Sequence, residues 1–101
     1  MQISLNKENG VLTVCVNGRV DTVTAPELEK TVFENLEGVS QLCLDLKEMP
    51  YTSSAGLRVF LMTQKQMTKQ GGTMKVLNVC EDVYEVLEMT GFSDIMDIER
   101  I

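Results

Sequence analysis

Two adjacent hydroxyls, Ser53 and Ser54, stand within the stretch Met49-Pro50-Tyr51-Thr52-Ser53-Ser54-Ala55-Gly56-Leu57-Arg58-Val59-Phe60-Leu61. To their left, Leu42 to Leu46 reads as a buried strand. To their right, apolar residues recur at Leu57, Phe60, Leu61 and, more loosely, Met67, which is helical spacing. The chain therefore turns from strand to helix at the serines. A serine there can cap the helix by accepting from the free N–H groups of its first turn. The same N–H groups and the helix dipole favour negative charge, so an accessible hydroxyl at this point can also carry a phosphate. Both readings stay open on spacing alone. Gly56 costs a helix about 1 kcal/mol relative to Ala, which calls for a close approach by a partner or by strand backbone.

Other chemistry has little to work with. The chain has no histidine, which removes the commonest general base and metal ligand. A nucleophile elbow, G-x-S-x-G, would need glycine where Thr52 stands. Without a base beside it the serine hydroxyl is not activated, and no spacing favours Lys65 or Lys69 for that task. No enzymatic activity is expected. Cys15, Cys43 and Cys80 form no C-x-x-C pair, and each lies in or beside an apolar run. They are expected to be buried, reduced thiols, with no metal site and no cofactor. Gly71-Gly72 lacks the lysine pattern of a phosphate-cradling loop.

The elements that must position the serines follow in chain order. Met1 to Leu5 alternates weakly and can form an edge strand. Asn9-Gly10 is a hairpin signal, and Val11 to Val16 is a β-branched run closed by Asn17-Gly18. Thr24 and Glu27 have the spacing of a capping box, with Pro26 in the first turn, opening a helix whose inner face is Ala25, Leu28, Val32 and Leu36. Gly38 is its expected stop. Gln41 to Leu46 is the next strand, and the helix after the serines runs to about Gln70. Met74 to Val79 reads as a strand and Glu81 to Thr90 as a short helix ended by Gly91. Ile95 to Ile101 reads equally as a last strand or a short final helix.

Strands alternating with helices imply right-handed crossovers and a largely parallel sheet. The expectation is one α/β domain over residues 1–101, with a mixed, largely parallel four- or five-stranded sheet and helices mainly on one face. A net charge of −6 offers no cationic surface for nucleic acid or an anionic membrane. No apolar run has the length of a membrane span and the N-terminus lacks the pattern of a signal peptide, so a cytoplasmic protein is expected.

The run Ser53-Ser54-Ala55-Gly56-Leu57-Arg58 follows a strand of Leu-Asp-Leu type. Together with Gly18-Arg19-Val20-Asp21-Thr22-Val23-Thr24-Ala25-Pro26-Glu27-Leu28 and the Gly91-Phe92 end of the last helix, it resembles the STAS domain of bacterial anti-sigma factor antagonists. The resemblance covers essentially the whole chain. It implies a small cytoplasmic binding protein without cofactor, monomeric on its own. Its implied partners are an anti-sigma factor that is also a serine kinase of ATPase fold, and a PP2C-type phosphatase. It places the phosphorylated serine at Ser54, with Ser53 as the alternative, and the partner surface at Asp21, Thr22, Ser53, Ser54, Ala55, Gly56 and Arg58. Asp21 reads equally as a turn-forming residue. Two alternatives stand beside this reading: an unphosphorylated STAS adaptor subunit in a signalling scaffold or transporter complex and, from a different class, a nucleotide-binding domain, against which the lack of a phosphate-cradling loop counts.

Overall fold

The computed structural model describes all residues, 1–101. Strands β1 (Gln2–Glu8) and β2 (Val11–Asn17) form a hairpin, followed by α1 (Ala25–Phe33), β3 (Gln41–Glu48), α2 (Ser54–Lys69), β4 (Thr73–Val79) and α3 (Glu81–Met89). A single turn of 3₁₀ helix at Phe92–Asp94 leads into β5 (Asp97–Arg100). The open end of the chain is thus a strand, and the sheet has five. Its order is β1-β2-β3-β4-β5; β1 is antiparallel to β2 and every other pair is parallel.

The hairpin turns on Asn9 and Gly10, whose φ angles of 52° and 81° suit the primed turn that matches strand twist. Register then follows from side-chain parity. Leu12 lies beside Leu42 and Leu42 beside Met74, while Val14, Leu44, Val76 and Ile98 make the next row. These rows join Leu28 and Val32 of α1, Leu57, Phe60 and Met67 of α2, and Val83 and Leu87 of α3 in one apolar core. Phe60 is fully buried, a contribution of about 1.5–3 kcal/mol from its removal from water. The helices cover one face of the sheet. The other face carries Thr13, Cys15, Asp45, Lys75 and Leu77, half-exposed or exposed, and at its centre Cys43, which is buried.

That asymmetry corrects the expectation for the thiols. Only Cys43 is buried; Cys80 is half-buried, and Cys15 is exposed because parity turns Leu12, Val14 and Val16 inward and Cys15 to the open face. Burial pushes the Cys43 thiol pKa up. Helix α1 also ends before Gly38. Asn35 donates its side-chain amide to the Thr31 carbonyl at 2.7 Å, and its own N–H bonds to Val32 rather than Thr31. A side chain that competes for helix carbonyls shortens the helix, while the following turn still delivers Leu36 to the core. No helix is long and apolar enough to cross a membrane.

Candidate functional site

The site is built where two strand-to-helix crossings meet. After β3, the segment leading to α2 runs beside the segment leading to α1. Val20 and Thr52 form an isolated parallel bridge, Val20 donates its N–H to the Tyr51 carbonyl at 3.1 Å, and Ser53 donates its N–H to the Val20 carbonyl at 2.8 Å. Val20 and Thr52 are buried beneath this joint. Gly56 fits against it: a Cβ on Gly56 would collide with Thr52 Oγ1 and lie 2.8 Å from Val20 Cγ1. The glycine is there so that the first turn of α2 can rest on the chain's own Val20–Thr52 joint.

On the first side, Asp21 organises the loop. Its Oδ1 accepts the N–H groups of Val23 at 2.9 Å and Thr24 at 3.0 Å, and Thr24 Oγ1 accepts the Asp21 N–H at 2.9 Å. The Asp21 carbonyl accepts the Ala25 N–H at 2.8 Å, so helical bonding effectively starts at Asp21. Asp21, not Thr24, is the residue that satisfies the opening of α1, and the expected capping box does not form. The two backbone N–H bonds, Thr24 first, hold the Asp21 carboxyl pKa below the usual carboxylate range, with the nearby Arg19 charge a smaller help.

On the second side, Ser53 occupies the N-cap of α2 in an extended conformation but makes no capping bond. Its Oγ is buried and has no hydrogen-bond partner. Ser54 is the first helical residue and is exposed. The N–H groups of Ser54, Ala55 and Gly56 find no backbone acceptor, and the first turn carries no acidic residue. The expectation that a serine caps this helix therefore fails, because Ser53 Oγ is turned inward and Ser54 lies past the capping position.

Arg19 and Tyr51, the neighbours of bridge residues Val20 and Thr52, stack with the guanidinium carbon 4.5 Å from the ring centroid, and a cleft of about 240 Å³ between α1 and α2 is lined by Thr22, Glu29, Ala55 and Arg58 among others. No group of three or more Cys, Asp or Glu side chains is placed to hold a metal ion. Nor does any side chain hydrogen-bond to Ser54 as a general base would.

Comparison with known proteins identifies the family and the fold. The model of the STAS domain matches residues 2–100. The anti-sigma-B factor antagonist of Bacillus subtilis is 32% identical over 98 residues, covering 97% of this chain and 90% of its own. The chain belongs to the STAS domain family. Two solved structures share its fold. An anti-sigma factor antagonist from Mycobacterium paratuberculosis superposes with a TM-score of 0.88 at 24% identity, covering 99% of this chain and 86% of that one. The Bacillus cell fate determinant SpoIIAA in its phosphorylated form gives 0.77 at 13% identity, covering 96% and 90%.

In this STAS domain the residues expected at a partner surface fall into two groups. Thr22, Ser54 and Arg58 are exposed and Asp21, Ser53 and Ala55 are half-buried at the same rim. Gly56 is buried and offers a partner no surface; the collision described above accounts for it. Two further rim residues were not expected. Val23, 82% exposed, and Tyr51, 43% exposed, add apolar surface on the two segments that the Val20–Thr52 bridge joins. Val23 carries a signal in the sequence, as an apolar residue in a polar approach that lies off the inner face of α1.

Proposed function

We propose that this STAS domain is an anti-sigma factor antagonist, controlled by phosphorylation of Ser54. In its bare state the rim of Asp21, Thr22, Ala55 and Arg58 around Ser54 binds a cognate anti-sigma factor, which releases its sigma factor. That anti-sigma factor is also the kinase. The Ser54 oxygen attacks the γ-phosphorus of kinase-bound ATP, the bond to the β-phosphate oxygen breaks, ADP leaves, and the hydroxyl proton passes to a base on the kinase. A PP2C-type phosphatase restores the hydroxyl. The domain works in the cytoplasm, where transcription is controlled, and needs no cofactor of its own.

The observation that carries this reading is the contrast between the two serines. Ser54 is exposed at the open start of α2, while the Ser53 oxygen is enclosed. A kinase must reach the oxygen it modifies, so Ser54 is the acceptor. The relatives' names point to the same function, and a shared fold with a phosphorylated neighbour agrees with it. The test is intact-mass measurement after incubation with ATP and the cognate kinase. One phosphoryl group should be added to the wild type and to Ser53→Ala, and none to Ser54→Ala. The reverse pattern would make Ser53 the acceptor.

A further inference from the structure

The chain has three arginines, Arg19, Arg58 and Arg100. Arg19 lies over Tyr51 at 4.5 Å and Arg100 over Tyr84 at 4.4 Å. Arg58 stacks on no ring and forms no ion pair; the chain's one ion pair joins Lys30 and Glu34 at 3.9 Å. It is exposed, and it follows Ser54 by four positions on α2. Residues so spaced share a helix face, with Cβ atoms about 5–6 Å apart. Helical side chains lean toward the N-terminus, so the Arg58 stem leans back over the turn that carries Ser54. On its other flank it lines the cleft between α1 and α2, where it is the only cation and faces Glu29.

We infer that Arg58 is the internal counter-ion of phosphorylated Ser54, so that one modification both adds charge at the rim and withdraws the cleft's guanidinium from the partner. The inference rests on Ser54 being the phosphorylated residue. A guanidinium offers parallel N–H groups that match two phosphate oxygens, a stronger and more directional pairing than an ammonium gives. The bare hydroxyl has no charge to hold Arg58, which then remains in the cleft to meet an acidic group on the partner. Glu29 across the cleft is the carboxylate that competes for it, and Arg19 is engaged with Tyr51.

The experiment uses the full chain with phosphoserine installed at position 54 during translation, so that no kinase is involved. Phosphorus NMR then follows the second ionisation of the phosphate, which for free phosphoserine lies at about 6. Pairing with Arg58 should place that pKa about half a unit lower in the wild type than in Arg58→Gln, with Arg58→Lys between them. Lys65→Gln, an exposed cation farther along α2, should match the wild type. Identical values in the wild type and Arg58→Gln would overturn the pairing. The wild type alone supplies a second reading: the Arg58 Nε–H resonance should move on phosphorylation, and an unmoved resonance also overturns it. A kinase that modifies some other residue would sink the assignment of Ser54 and leave these NMR results standing, so the two failures are distinct.

Discussion

The starts of α1 and α2 lie side by side, joined through Val20 and Thr52, yet they are finished in opposite ways. The start of α1 is closed on itself. Asp21 and Thr24 exchange hydrogen bonds that satisfy the loop and hold the carboxylate charged. The start of α2 is left open. Its N-cap serine turns inward without a partner, its first N–H groups are unclaimed and its first turn has no acid. A helix start with unsatisfied donors and an unanswered dipole tolerates an added anion at little cost to the fold. One crossing is closed by its own hydrogen bonds, and the other leaves its donors free for the phosphate proposed at Ser54.

The largest effect should come from breaking the joint between them. Gly56→Ala forces a methyl group against Thr52 and Val20, and the overpacking should outweigh the helix-propensity gain to leave a net loss of about 2 kcal/mol, read by urea denaturation. Both helix starts should loosen together; an unchanged unfolding midpoint would show that the joint does not couple them.

Next is Ser54→Asp. Placing a charge on the open start should weaken binding to the anti-sigma factor by at least about tenfold in calorimetry, a cost of about 1.4 kcal/mol. Circular dichroism and thermal unfolding should barely change. Lost binding with a collapsed melting temperature would mean misfolding rather than a local electrostatic switch.

Smaller effects sharpen the contrast. Asp21→Ala removes the closed start and should lower the melting temperature by roughly 5 °C. The folded-state pKa of Asp21 is lowered, so its contribution is complete above the ordinary carboxylate range and is lost as pH falls through the lowered value. Carboxyl-carbon NMR should therefore find Asp21 titrating below the usual aspartate range, and Asp21→Asn should lose that acid-dependent part of stability. Ser53→Ala should leave stability unchanged or raise it by up to about 1 kcal/mol, since the oxygen it removes is buried without a hydrogen bond. A large loss there would place an unseen partner on Ser53 and erase the distinction between the two starts.

The sequence made the alternation of strands and helices readable because the deciding signals were local: Asn9-Gly10 for the hairpin, and the apolar periods of α1 and α2 around the serines. The final strand was ambiguous since Asp97–Arg100 is short and mostly exposed at the sheet edge, leaving no apolar alternation to read. The capping box failed for a different reason. Its spacing was correct, but Asp21 offers a carboxylate three residues earlier and takes the same N–H group that the box would organise. Likewise the spacing of the serines located the helix start, while their opposite exposure depends on where Val20 packs, which is a tertiary fact.

The Val20–Thr52 bridge has a consequence for what a kinase can recognise. Ser54 is placed by a backbone ladder to a segment on the far side of α1 and β3, so the acceptor geometry exists only after that long loop has closed. A peptide copied from Met49 to Leu61 would carry the residues and lack the shape. The epitope proposed here is conformational, so a chain still emerging from the ribosome, or one that has lost its fold, would be silent to that signal.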